Sequence, residues 1–152
     1  MPAIENTPYF LDEIATNCKN FSELKIMGPC NIFFASTLAT YFPKLRVLSL
    51  RCSILYRDVL IFILDSLEHL EVLNISHCIL MEGLLPPPQC KKIINEIDST
   101  IRQKASRLRE FITCMDDSCI MCQRTRADEG IVRWYKYEEG FWKVDEVKSL
   151  AL

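Results

Sequence analysis

Leu45-Arg46-Val47-Leu48-Ser49-Leu50 is followed 25 residues later by Leu70-Glu71-Val72-Leu73-Asn74-Ile75, and preceded 24 residues earlier by Phe21-Ser22-Glu23-Leu24-Lys25-Ile26. All three share the form L-x-x-L-x-L, with Phe or Ile standing in for Leu at some positions. Three residues ahead of each copy lies another apolar residue: Cys18, Phe42 and Leu67. Alternating apolar residues mark a strand with one buried face. A strand that recurs at a near-constant step marks stacked units, each of which buries its face only against its neighbours.

The step and the pattern are those of a leucine-rich repeat. The residues between the strands complete each unit. Thr7 caps and Pro8 opens a helix over Pro8–Asn17, since Thr accepts from the first free N–H groups and Pro suits the first helical position. A strand at Glu23–Met27 ends at Gly28-Pro29. A second helix, Ile32–Tyr41, stops before Pro43 and leads to a strand at Arg46–Arg51. A third helix spans Asp58–Leu67, with the Asp58 carboxylate at its positive end, and a third strand spans Glu71–Ser76. The expected fold is α/β: a short leucine-rich-repeat solenoid of about three strand–helix units, then a long amphipathic helix and a C-terminal β-hairpin. Residues 1–85 form the repeats and 86–152 a C-terminal cap.

Within each L-x-L the apolar residues point inward, so their neighbours face the concave side. These are Lys25, Ser49 and Asn74, flanked by Glu23 and Met27, Val47 and Arg51, and Val72 and Ser76. Solenoids bind partners on such faces. This column is the candidate partner-binding surface, set against the plainer reading of a solvated sheet face.

Leu85-Pro86-Pro87-Pro88 marks the boundary, because consecutive prolines continue neither a helix nor a central strand. Beyond it, Ile94, Ile97, Ile101, Ala105, Leu108, Ile112 and Met115 follow steps of three and four, which predicts one helix over Gln89–Met115. Its stripe either meets a partner or covers the last repeat, and the exposed end of a solenoid favours the cover. The tail alternates through Ile131–Tyr137, turns at Glu138-Glu139-Gly140 and returns through Phe141–Val147, as a β-hairpin would.

The net charge is −2 with two histidines and 25% charged residues, so no global basic field favours nucleic acid. Arg102, Lys104, Arg107, Arg109, Arg124 and Arg126 make a local basic zone, but Glu96, Asp98, Glu110, Asp116 and Asp117 are interleaved with it. A solvated mixed-charge face is the expectation. Val59–Leu64 is too short an apolar run to span a bilayer, and the first residues lack a signal-peptide pattern. The expected setting is the cytoplasm, the nucleus or both, with the eight cysteines reduced.

Cys114, Cys119 and Cys122 form the one constellation with chemical promise, because thiolates three residues apart reach a single metal ion. A helix over 89–115 would put Cys90 about 36 Å from Cys114, so a fourth ligand must come from elsewhere, such as His77, Cys78 or a carboxylate. Structural zinc is one reading and inert thiols the plainer one. A thioredoxin-like reading fails because the motif is expected to follow a helix and not to open one. Ser76, His77 and Cys78 are adjacent on a strand and cannot form a nucleophile–base pair. No enzyme is expected, and no cofactor apart from that zinc.

LRVLSLRCSIL and LEVLNISHCIL resemble the cysteine-containing repeats of F-box proteins, and the stretch from Ala105 to Val147 resembles the C-terminal region of plant F-box/LRR-repeat proteins. Cys119–Arg126 and the later RWYKYEEGFW are the most specific parts of that likeness. The resemblance implies the substrate-recognition part of an SCF-type ubiquitin ligase receptor, in which the repeats hold a protein target and an F-box holds a Skp-type adaptor and, through it, a cullin. No F-box is recognisable here, since only Met1–Thr7 precede the first helix. Adaptor and cullin binding is therefore in doubt while target binding stands. The chain is expected to be marginal or self-associating unless the helix at Pro8–Asn17 caps the first unit. The rival reading is a zinc-stabilised scaffold that binds partners through its tail.

Overall fold

The computed structural model describes residues 7–26, 28–83 and 91–126. The Pro86-Pro87-Pro88 spacer, the tail hairpin and Met27 lie outside the described residues. Three strand–helix units pair in register, and a fourth follows them. The first unit contains α1 (Thr7–Asn17), β1 (Glu23–Lys25) and β2 (Pro29–Cys30). The second contains α2 (Ile32–Tyr41), β3 (Val47–Ser49) and β4 (Ile54–Tyr56), and the third α3 (Arg57–Ser66), β5 (Val72–Asn74) and β6 (Ile79–Gly83). Then come β7 (Lys91–Ile94), α4 (Ser99–Ala105), β8 (Glu110–Ile112) and α5 (Ile120–Arg126). The fold is α/β.

Two four-stranded sheets run through the stack, in the orders β1-β3-β5-β8 and β2-β4-β6-β7. The first is parallel throughout, with Leu24, Leu48, Leu73 and Phe111 in one register row. That row, with Leu45, Leu50, Leu70 and Ile75, builds the core against α2 and α3. The second sheet was not expected. Its strands are short, and its row Cys30, Leu55, Leu80 buries a further line of apolar side chains. β7 joins β6 antiparallel, unlike the other pairs.

Local chemistry explains the helix ends. Asn31 caps α2 by accepting from the Phe34 N–H at 2.9 Å, and the Phe42 N–H closes it on the Leu38 carbonyl just before Pro43. In α3, Val59, Leu60, Ile63 and Leu64 face the core, the spacing of one helical face. α1 packs on α2 and buries Leu11 completely, so it covers the apolar edge of the first units.

The single helix expected over Gln89–Met115 does not form. Asp98 breaks the stripe: in extended conformation it caps α4, accepting from the Ile101 N–H at 2.9 Å. Only Ile101 and Ala105 of the stripe lie in that seven-residue helix. Leu108 and Phe111 instead repeat the parts of Leu70 and Leu73, with Phe111 beside Leu73. The step from Leu73 to Phe111 is 38 residues, too long for the period to reveal it. Both sheets thus continue past the boundary expected at residue 85.

The basic side chains of this segment hold the fourth unit to the third. The Arg107 guanidinium donates to the carbonyl of Leu64 (2.6 Å), in the last turn of α3, and to those of Leu67 (2.9 Å) and Leu70 (3.2 Å) in the turn that follows it. Lys104 pairs with Asp65 at 2.6 Å and Arg109 with Glu71 at 3.6 Å. Arg57 donates to Asp98 at 2.5 Å.

Two outcomes follow from these links. Arg107→Leu should cost about 1–2 kcal/mol in urea unfolding, because charged hydrogen bonds to the helix end are lost while the aliphatic packing is kept. The Asp98 pKa is held below the usual carboxylate value by the hydrogen bond from Arg57 and then by the Ile101 N–H. Its stabilising contribution is present above the unfolded-state pKa and is lost as pH falls through the folded one. Asp98→Asn should therefore be less stable than the parent at neutral pH, with the gap narrowing in acid, as read by thermal melts across pH.

Candidate functional site

The column expected on an open concave face is closed in its middle. Val47, Ser49 and Arg51 of one unit and Val72, Asn74 and Ser76 of the next are all buried. Glu23 and Lys25 of β1 keep solvent access, as do Glu110 and Ile112 of β8. Parallel strands are commonly buried on both faces, and the valines at 47 and 72 are the residue type that both-face burial favours. Asn74 turns back on its own strand end: its Oδ1 accepts from the Ser76 N–H at 2.9 Å and the Ser76 hydroxyl at 2.6 Å. Its Nδ2 is buried with no hydrogen-bond partner among the described residues. These six residues are buried and present no open face in this structure.

The chemically distinctive site lies at the ends of β5 and β8. After β5 the chain turns through His77, whose φ of 58° is left-handed, and the Cys78 N–H closes the turn on the Ile75 carbonyl. Cys52, one unit earlier, makes the same turn with a φ of 59°. Histidine tolerates this region better than β-branched residues do. The His77 N–H donates to the Cys114 carbonyl at 3.2 Å, which carries the β5–β8 pairing to the cluster. Asp116 then forms a tight turn, accepting from the Ser118 N–H and hydroxyl at 2.8 and 2.7 Å. That turn delivers Cys119 to the start of α5, and Cys122 follows one helical turn later.

The result is a four-residue cluster. His77 Nδ1 lies 3.3 Å from Cys122 Sγ and 3.5 Å from Cys119 Sγ, and Cys122 Sγ lies 3.7 Å from Cys114 Sγ. All four donor atoms fall within 4.8 Å of one another. His77 and Cys122 are buried, and Cys114 and Cys119 half-buried. Three thiols and an imidazole are the donor set for a soft divalent ion.

The thiols are not alike. Burial, then the neighbouring Cys114 thiol, pushes Cys122 up strongly, and burial also raises Cys114. Cys119 is lowered although burial opposes it, because the backbone at Cys122 and Met121 and the Cys114 side chain favour its thiolate. The expectation that no helix start adjoins the motif is thus overturned: Cys119 immediately precedes α5. Elsewhere burial pushes Cys30 up to about 12 and Cys78 higher still. In chelator-treated folded protein at neutral pH, Cys119 should be alkylated fastest of these five, with Cys30 and Cys78 unmodified, as read by peptide mass spectrometry.

Of the residues expected to make a metal site, Cys114, Cys119 and Cys122 are all brought together, and His77 supplies the fourth donor. It lies 42 and 45 residues from Cys119 and Cys122 in sequence. The β5–β8 pairing closes that distance, and the expectation of one helix over 89–115 concealed the pairing. The basic zone is mostly engaged within the fold, and Arg126 pairs with Asp117. No helix among the described residues is long and apolar enough to cross a membrane.

Stacked strand–helix units with a thiol-rich cluster at one end define an α/β repeat scaffold. By sequence the chain belongs among the plant F-box/LRR-repeat proteins. It is 61% identical over 153 aligned residues to the F-box/LRR-repeat protein At3g48880 of Arabidopsis thaliana, covering all of this chain and 50% of that one. It is also 29% identical over 137 residues to the putative F-box protein At4g11580 of the same plant, covering 90% of this chain and 38% of that one. The chain spans about half or less of the length of these curated relatives. No family model matches it. Among solved structures, a Caenorhabditis elegans tropomodulin C-terminal domain aligns with a TM-score of 0.48 and 13% identity, over 81% of this chain and 72% of that one.

Proposed function

We propose that this chain is a leucine-rich-repeat solenoid that recognises a protein target, as the substrate-binding part of an SCF-type ubiquitin ligase receptor. The observation that carries the reading is the 61% identity along the whole chain to an F-box/LRR-repeat protein. The in-register stack of leucine rows supports it, since each added unit widens a rigid surface without requiring any reactive group. In this role the chain makes and breaks no bonds of its own. It raises the effective concentration of a target near a catalytic partner. Contact with a Skp-type adaptor and a cullin belongs to the longer receptor architecture, and the setting is the cytoplasm, the nucleus or both.

The accessible ends of the strand column are the surface for the target. Glu23 and Lys25 stand at one side and Glu110 and Ile112 at the other. Affinity capture from plant extract, with this chain and the full-length Arabidopsis relative as parallel baits, tests the proposal. A shared set of captured proteins is expected, with recovery by a folded Glu23→Arg/Lys25→Glu/Glu110→Arg variant reduced at least about tenfold. Disjoint captured sets would overturn the receptor reading. A shared set with unchanged recovery by the variant would move the contact off this column.

A further inference from the structure

We propose that His77, Cys114, Cys119 and Cys122 bind one zinc ion that fastens the fourth strand–helix unit to the third. This inference is independent of the receptor reading, since it rests on the cluster alone. Zinc bonds of about 2.3 Å to sulfur and about 2.05 Å to nitrogen, arranged tetrahedrally, put two sulfurs about 3.8 Å apart and a sulfur and nitrogen about 3.5 Å apart. The observed separations are 3.7 Å for Cys114 to Cys122, 3.5 Å for Cys119 to His77 and 3.3 Å for Cys122 to His77. These three of the six separations match a single small ion, and all four donor atoms lie within 4.8 Å of one another.

A disulfide, a hard cation or an iron–sulfur cluster fits these donors less well. A disulfide needs sulfurs about 2.05 Å apart and would leave a third thiol and the imidazole without a purpose. Magnesium and calcium take oxygen ligands. The nearby carboxylates are engaged elsewhere: Asp116 holds Ser118 and Asp117 pairs with Arg126. An iron–sulfur cluster spreads its ligands around several atoms, whereas these donors converge within 4.8 Å. Four protein donors also leave no open coordination position, so the ion is structural and not catalytic.

The origin of the ligands gives the ion its task. His77 comes from the turn after β5, Cys114 follows β8, and Cys119 and Cys122 come from the start of α5. β8 is a three-residue strand at the edge of its sheet, paired only with β5 among the described residues. One ion joins both strand ends to the following helix. On binding, the three thiols release their protons to solvent and the imidazole coordinates in its neutral form. The ion and three thiolates together carry one negative charge.

The test is metal analysis of the full 152-residue chain, purified reduced and without chelator. One zinc per chain is expected, and cobalt substituted for it should give the strong visible bands of a tetrahedral thiolate site. Alkylation mapping should find Cys114, Cys119 and Cys122 protected until a chelator is added, a readout that needs no variant. Cys119→Ser and His77→Ala should weaken cobalt binding at least about tenfold, whereas Cys18→Ser, at an exposed position outside the cluster, should keep the full complement. Removal of the ion should lower the melting temperature of the parent chain. A folded chain that retains no zinc and gives no tetrahedral cobalt spectrum overturns the proposal. So does a Cys114–Cys122 disulfide in the protein as purified.

Discussion

A strand of three residues cannot stay folded by itself, and the parallel backbone ladder from β1 through β3 and β5 to β8 removes that difficulty. Each strand is fixed by hydrogen bonds to its neighbours, and each inward leucine is covered only because the next unit supplies its cover. Leu24, Leu48, Leu73 and Phe111 are adjacent in space because the register is kept from one unit to the next. The helices on the other side of the core depend on that register, since α2 and α3 pack side by side only when the strands below them are aligned. The position of the cysteine cluster depends on it as well: without β5 paired to β8, His77 and Cys114 would have no common neighbourhood.

The first three units were legible because their leucines recur at an almost constant step, Gly28-Pro29 ends the first strand and Pro43 stops the second helix. The fourth was hidden by two separate effects. β7 and the proline-rich stretch ahead of it lengthen the step, so the repeat no longer shows as a period. The residues Ile101, Ala105, Leu108 and Ile112 also satisfy helical spacing across what is really a helix, a turn and a strand. Periodicity alone does not distinguish a continuous helix from a helix followed by a strand when the turn falls in step. The better signal was Asp98, a strong capping residue in the middle of the supposed helix.

The candidate sites were legible to different degrees. Which strand residues alternate was readable, but alternation gives a direction and not an exposure. Val47 and Val72 carried the relevant hint, since an apolar β-branched residue at an outward position favours cover. For the cysteines, spacing offered one shared ion as a reading beside the plainer one of inert thiols, and the fourth member of the cluster was a matter of topology. His77 is remote along the chain and close only once strand pairing is known. Its left-handed backbone is shared with Cys52 at the equivalent turn of the preceding unit.

The antiparallel arrival of β7 has a consequence for how such a chain can lengthen. Duplicating a unit of about 24 residues extends a stack only where the new strands meet neighbours running the same way in both sheets. At β1 and β2 that condition holds among the described residues. At β6 it fails, because β7 already occupies the neighbouring position with reversed polarity. A unit inserted there would have to displace β7 or abandon the second sheet. Among the described residues, growth by tandem duplication is thus favoured towards the first unit, where both sheets offer a parallel edge.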